Sequence, residues 1–498
     1  MMQVAAGGVR ARRAALALLV LYAVLLGALL ARHEMWRDEL QAWTLARDSH
    51  NLVDLWRHTR YEGHPLLWHA MLMPLAHAVD DPQAMQVAHW VIAVAAAAVV
   101  MLAAPFPLWL RTALVCSYYP LYEYGVISRN YALTVLGIWL VCVAVTRHSP
   151  VQAAAAGAVA ANASPMGFLL APGICAAIVL DREPPLRRRL VATAGLTVAA
   201  AAALVQMLAA ADYEHARGWT LTFEPLRVAY LARGYARALL PLQVPGLHFW
   251  ESSALFPWPP AAGAAGWAWT LVAMLVVGGL LAVAAWTSRR SRRSAAALAV
   301  GAASLLAFAY VKFPGAIRHQ GFLWIWLVAA LWMAVGDGGL TRRGAAWLLA
   351  PGLACGLAAS AVAAWWDWRA PFSGAECAAR SILKQGLSRL PLVAGVDWAA
   401  SGVAGYLPHG KLIYPAAGRS GSFVLWNEAR TRQDRFTPAD QVAAARAADR
   451  GEGSLLLTNA PLPAGSGCQL RFACDHTIVA DESLWGYVCE KSPGEAAP

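Results

Sequence analysis

Charge is scarce in this chain. Asp, Glu, Lys and Arg make up 14% of its 498 residues, too little to coat a soluble protein of this length. Lysine is nearly absent, supplying 4 of the 40 basic residues (Lys312, Lys384, Lys411 and Lys491). No CxxC spacing occurs, so the 8 cysteines carry no zinc-site signature. The last 130 or so residues lack a Gly-rich phosphate loop, and no internal repeat runs through the chain. What is abundant is apolar: 59% of residues are hydrophobic, 23 are Trp suited to interfaces, and mean hydropathy is +0.47. This is the composition of a polytopic α-helical membrane protein.

The formal net charge of +11 does not point to nucleic acid, because the basic residues are clustered between apolar segments. The clusters are Arg10, Arg12 and Arg13; Arg187, Arg188 and Arg189; Arg289, Arg290, Arg292 and Arg293; and Arg342 with Arg343. They read as cytoplasmic topology signals. Threading the chain between them predicts crossings at residues 14–31, 64–79, 87–104, 131–146, 151–162, 166–180, 191–210, 263–287, 295–311, 320–336 and 345–365. That is about 11 crossings, with 107–120 as one re-entrant or interfacial segment. The N-terminus falls in the cytoplasm, residues 1–31 read as an uncleaved anchor rather than a signal peptide, and the C-terminal tail falls outside. Few lysines and much alanine associate the chain with a GC-rich bacterium, hence an inner (plasma) membrane and a periplasmic tail.

Two domains are expected: a transmembrane domain over residues 1–366 and a small extracytoplasmic α/β domain over 367–498. In the tail, strands are predicted at 392–396, 412–414 and 454–458, and helices at 399–406 and 438–450. Cys116, Cys142, Cys175 and Cys355 sit in apolar segments. The other four, Cys377, Cys468, Cys474 and Cys489, lie in the tail and can form two disulfides in an oxidising compartment. A hairpin turning at Asp481 and Glu482 suggests Cys474 with Cys489 and Cys377 with Cys468.

The chemistry-bearing residues collect in four clusters that the threading puts on the outer side. Asp38 and Glu39 follow the first span, on a helix whose Trp36, Leu40 and Trp43 share one face, expected to rest in lipid, with Asp38 opposite. Solvated first-turn acids are the bland alternative. An amphipathic stretch at 51–58 comes next, then Tyr61-Glu62-Gly63-His64-Pro65, where a carboxylate and an imidazole stand at a membrane mouth. Ser128-Arg129-Asn130-Tyr131 and Arg318-His319 form the other two clusters, each otherwise explicable as interfacial anchors. Cations beside a carboxylate suit a donor with a phosphate leaving group. The aromatic-rich loop at 211–260 suits an acceptor platform or lid, or an interfacial belt.

In their order, these motifs resemble the GT-C superfamily of polytopic glycosyltransferases, which includes protein O-mannosyltransferases and lipid A aminoarabinose transferases. The acidic pair resembles the catalytic first loop of that family, YEGHPLLW its second-span start, SRNYAL its Arg-x-Tyr/Asp element and IRHQGFLWIWL its late Arg-Tyr/His element. Leu66 replaces one proline of the family's Pro-Pro pair, and its usual lysine is absent around residues 162–165. The resemblance covers about 340 residues in motif order. It implies a GT-C-like fold and transfer, with inversion, of a sugar from a polyprenyl phosphate donor to a lipid, glycan or protein acceptor of the cell envelope. Membrane lipids, and no nucleic acid, are the other expected partners. Asp38 is then the first choice of base, with Glu39 and Glu62 next. His64, Arg129, Tyr131, Arg318 and His319 bind substrate. No cofactor is required, and a divalent cation joining Asp38 and Glu62 stays open. A non-catalytic binder or flippase of lipid-linked glycans is the alternative.

Overall fold

The computed structural model describes residues 2–214, 218–260 and 263–491. Residues 215–217 of the long loop and 492–498 of the tail lie outside them. The apolar part is helical. α1 (Met2–Leu30) leads into α2 (Arg37–Arg47), α3 (Leu52–Thr59) and α4 (Leu67–Ala78). α5 (Gln83–Ala103) is followed by α6 (Leu108–Val115) and a π-helical turn at Tyr119–Glu123. Next come α7 (Tyr131–Thr146), α8 (Pro150–Ala163), α9 (Pro165–Leu180) and α10 (Leu186–Gln206). α11 (Pro225–Leu239) lies in the long loop before α12 (Ala264–Thr287) and α13 (Arg292–Val311). The short α14 (Ile317–Gln320) opens α15 (Phe322–Gly336), and α16 (Arg342–Arg369) ends the helical body.

Among the described residues, 7 helical segments are long and apolar enough to cross a membrane: Arg10–Leu30, Gln83–Ala103, Leu186–Gln206, Ala264–Thr287, Arg292–Val311, Ile317–Gly336 and Arg342–Arg369. α7 and α9 are shorter apolar helices. α15 is apolar all round and buried from Phe322 to Ala334, as expected of a central helix. The outward faces of α1, α10 and α12 leave Val20, Val24, Val198 and Leu275 exposed. At the end of the body away from the tail, Arg293 pairs with Asp337 and Asp181, and His148 with Asp181. This knits the ends of α7, α9 and α15 to the start of α13.

The apolar stretch at 64–79, expected to cross, forms a helix that is not among those long and apolar enough to do so. α4 has 12 residues, about 18 Å of helix against a hydrocarbon core of about 30 Å. Its entry is tied by Leu66 N donating to Gln206 at the end of α10, and just past its exit Asp80 pairs with Arg47 and faces His409 of the tail. Both ends therefore lie in the layer that carries the tail. The segment at 107–120, read as re-entrant or interfacial, leads through the body: Arg111, in α6, binds the carbonyls of Met101 and Phe106, whereas Tyr124, just past the π turn, donates to the carbonyl of Arg318.

The tail folds as a six-stranded mixed sheet with helices α17 (Ala375–Lys384), α18 (Asp397–Tyr406) and α19 (Pro438–Ala448). Its strands are β1 (Leu392–Ala394), β2 (Leu412–Tyr414), β3 (Arg419–Gly421), β4 (Ser454–Thr458), β5 (Gln469–Cys474) and β6 (Leu484–Cys489), in the order β3-β2-β1-β4-β6-β5. β1 is parallel to β2 and β4, and the other pairs are antiparallel. The disulfides are Cys377–Cys474 and Cys468–Cys489, not the expected pairs. The β5–β6 hairpin exists, but its register sets Cys474 opposite Leu484 at the turn and Gln469 opposite Val488 at the open end. Antiparallel pairing thus brings Cys468, not Cys474, to Cys489, and Cys377 of α17 reaches Cys474.

The tail is clamped to α2. Leu40 lies against Gly405 of α18, where an added Cβ would stand 2.8 Å from Leu40 Cδ2. Arg47 reaches the carbonyls of Ala404, Leu407 and Gly410 at and just past the end of α18. Gln41 exchanges two hydrogen bonds with the backbone of Val424. Trp36, Leu40 and Trp43, expected in lipid, are instead at most 1% exposed, because the tail and the long loop cover that face. If α4 lies flat, Asp81→Cys and the tail variant Ala464→Cys react with an impermeant maleimide from the same side of the membrane. Reaction from opposite sides would restore the crossing at 64–79.

Candidate functional site

α2 begins where the chain must turn off α1, and Glu39 caps it: its Oε2 accepts from Trp36 N at 3.1 Å, the carboxylate half of a capping box. Asp38 therefore sits in the first turn, where exposed N–H groups favour a carboxylate. It accepts from Arg129, and Arg318 Nη2 lies 3.5 Å and Arg37 Nε 3.9 Å from it. Burial pushes the Asp38 carboxyl up, but the guanidiniums of Arg129, Arg318 and Arg37 outweigh it and hold the group at about 2. Its side chain keeps 26% exposure, so this carboxylate is ionised and reachable.

The other clusters connect to that carboxylate. Arg129 Nη2 stands 3.5 Å from His64 Nε2, and Asn130 Nδ2 is 3.3 Å from His64 Nδ1. Burial and the Arg129 charge lower the His64 imidazole to about 3, so it is neutral and contributes hydrogen bonding rather than charge. Tyr131 Oη meets His319 Nε2 at 3.0 Å. Arg318 binds Glu251 Oε1 at 2.8 Å and lies over the rings of Trp36 and Trp250, 5.2 and 5.5 Å from their centroids. Its buried Nε has no hydrogen-bond partner among the described residues. Glu62 is reached through the left-handed turn at Gly63 (φ 65°), a conformation suited to glycine, and accepts from Gln41 at 2.7 Å. Burial raises its carboxyl, Gln41 opposes, Asp38 adds and Arg129 subtracts, leaving it at about 8.

Asp38, Glu62, His64, Arg129, Tyr131, Arg318 and His319 thus form one neighbourhood drawn from the first loop, the turn before α7 and the turn before α15. Glu39 does not face it. That side chain is 0% exposed, accepts from Ser128 N at 2.5 Å, and lies 3.1 Å from His33 Nε2. His33 Nδ1 in turn meets Asp367 of α16 at 2.9 Å. Burial disfavours the imidazolium, but Asp367 and Glu39 more than compensate and raise it to about 10.

Five contributors escaped the sequence reading: His33, Arg37, Gln41, Glu251 and Asp367. Arg37 adjoins the acidic pair and could have been read with it. Glu251 lies 67 residues from Arg318 with no local pattern to link them. Of the aromatic loop, Phe249 is buried and Trp250 packs against Trp36 at 4.8 Å, while Trp219 and Phe223 are exposed.

A divalent cation joining Asp38 and Glu62 does not fit these side chains. Two guanidiniums already engage Asp38, and among the described residues no three His, Cys, Asp or Glu side chains converge as a metal site. The arrangement can hold an anion on Arg129 and Arg318 beside a carboxylate free to accept a proton. No family model, curated protein or solved structure matches the chain.

Removing the His33 imidazolium would leave two buried carboxylates facing each other, so His33→Ala should lose about 3 to 5 kcal/mol of stability. Because the folded-state value of about 10 lies above the ordinary 6.5, the contribution of His33 is complete below pH 6.5 and disappears as pH rises to 10. Thermal unfolding in detergent from pH 6 to 10 checks both: the gap between wild type and His33→Ala should narrow with rising pH.

Proposed function

We propose that this protein is an inverting GT-C-type glycosyltransferase that moves a sugar from a polyprenyl phosphate donor to a lipid, glycan or protein of the cell envelope. One observation carries the reading: Asp38 stands between Arg129 and Arg318, contributed by separate segments, at the end of the helical body that carries the tail. A phosphate leaving group needs no proton, only cations to take up the negative charge that grows as the bond from anomeric carbon to oxygen breaks. The acceptor hydroxyl does need a base, and it attacks from the face opposite the phosphate, which inverts the anomeric centre.

Arg129 and Arg318 hold the phosphate in this mechanism, and the free Nε–H of Arg318 gives it a donor beyond those already used. Phosphate also competes with Asp38 for the two guanidiniums. As their grip on Asp38 loosens, its basicity rises, so the donor activates the base that takes the acceptor proton. Glu62, protonated at neutral pH, donates to a sugar hydroxyl, with neutral His64 and the Tyr131–His319 pair completing the wall. Glu39 is a positioning residue, holding the start of α2 against the Ser128 turn. Trp250 and Glu251 floor the site, and the exposed segment around Trp219 and Phe223 meets the acceptor.

In the topology that accompanies this reading, about 11 crossings are made by α1, α5, α6 with the π turn, α7 to α10, α12, α13, α15 and α16, while α4 lies in the interface. The Arg clusters between α9 and α10, α12 and α13, and α15 and α16 set that end in the cytoplasm. The tail, with its two disulfides, then lies in the oxidising periplasm outside a bacterial inner membrane. A binder or flippase is less well supported, since transport sites keep ionisable groups near the middle of spans, whereas these collect at one end.

Asp38→Asn should lower turnover of a polyprenyl phosphate sugar by about 10²- to 10⁴-fold while membrane insertion and elution are unchanged. Full activity in that variant would refute the assignment. The second expectation concerns pH. Ionisation of Glu62 above about 8 adds a negative charge beside Asp38 and repels the donor phosphate. kcat/KM should be level between about pH 5 and 7, fall above 8, and lose that fall in Glu62→Gln.

A further inference from the structure

A cavity of about 640 Å³ lies between the end of α1, the start of α5 and the tail helix α17. None of the residues of the Asp38 neighbourhood lines it. Its wall has two characters. Gly27, Leu30, Val87 and Trp90 of α1 and α5 form an apolar side, and beyond it the outer surface of the same two helices exposes Val24 at 66% and Val91 at 54%. Arg32, Glu34, Glu376 and Arg380 form the polar side.

The two carboxylates of the polar side share one close cation. A single nitrogen, Arg380 Nη2, stands 3.3 Å from Glu34 and 3.2 Å from Glu376, and the Arg380 side chain is 65% exposed, so solvent and salt weaken its field. Glu34 Oε2 is buried with no hydrogen-bond partner among the described residues. Such an oxygen lacks the donor that buried acceptors normally find. Burial and the Glu376 charge raise the Glu34 carboxyl to about 7, against Arg380 and His33, which marks the same deficit. Arg32, at the mouth, is exposed and lies 4.9 Å over the Trp368 ring.

We propose that this cavity binds the headgroup of a phospholipid carrying a primary ammonium, with the ammonium between Glu34 and Glu376, the phosphate at Arg32 and the acyl chains along the α1–α5 surface. Three N–H donors satisfy the orphan oxygen and the second carboxylate together, whereas a quaternary ammonium has none to give. The apolar wall faces outward on two helices of spanning length, the surface that a lipid reaches by lateral diffusion. The proposal is independent of the glycosyltransferase reading, because none of its residues belongs to the Asp38 neighbourhood.

The test uses the full chain, purified in detergent and stripped of lipid, with native mass spectrometry of adducts. Phosphatidylethanolamine, phosphatidylcholine and phosphatidylglycerol of identical acyl chains are added separately, and phosphoethanolamine serves as a soluble competitor. Wild type should retain phosphatidylethanolamine at least about tenfold better than the other two lipids, and the Glu34→Gln/Glu376→Gln variant should lose that preference. Val87→Trp, which fills the apolar side and leaves the acids intact, should lose it as well. Equal retention of the three lipids, or an unchanged preference in both variants, would overturn the proposal. Phosphoethanolamine displacing the lipid at equal concentration would overturn it too, by showing that the lipid chains contribute nothing.

Discussion

The structure turns on a buried imidazolium. His33 stands where the chain leaves α1, with Glu39 of α2 on one ring nitrogen and Asp367 of α16 on the other. Two carboxylates in the interior would repel each other and resist desolvation, and one cation between them makes both tolerable. This fixes the first and last long helices of the body to the start of α2. Since the second oxygen of Glu39 accepts from Ser128 N, it also fixes the turn that presents Arg129. Asp38 and Arg129 thus meet because their immediate neighbours, Glu39 and Ser128, are bonded to each other.

From that lock the two acids of the site diverge. Asp38 stands among three guanidiniums and is held ionised, while Glu62, half-buried and bound to the amide of Gln41, is held protonated. Environments that drive two carboxyls apart allow one to accept and the other to donate. The tail takes part, because Gln41, the partner of Glu62, is itself gripped by the backbone of Val424. A domain that sequence composition marks off as separate is, by its contacts, the outer wall of the first loop.

Much of this was legible in the sequence because it is local. The strands at 412–414 and 454–458 stand where their apolar runs and flanking turn residues predict them, and the helix starting at Pro438 carries its capping box in plain view at Thr437 and Asp440. What failed was non-local. The apolar stretch at 64–79 has the composition of a span, yet its helix starts only at Leu67 and its ends are tied to Gln206, Arg47 and the tail. Periodicity identified Trp36, Leu40 and Trp43 as one apolar face but could not say that the tail and long loop, rather than lipid, cover it. The disulfide pairing hung on a hairpin register that cysteine spacing does not encode. His33 and Asp367, 334 residues apart, left no trace in the sequence of their pairing.

The central claim is that the Asp38–Arg129–Arg318 cluster performs chemistry on a lipid-linked sugar. The most direct measurement is release of polyprenyl phosphate by the purified wild-type protein, offered a panel of polyprenyl phosphate sugars with envelope lipids, together with the anomeric configuration of the product by NMR. The account predicts acceptor-dependent release from at least one donor and a product of opposite anomeric configuration. Tight donor binding without release, or a product that retains the donor configuration, would contradict it.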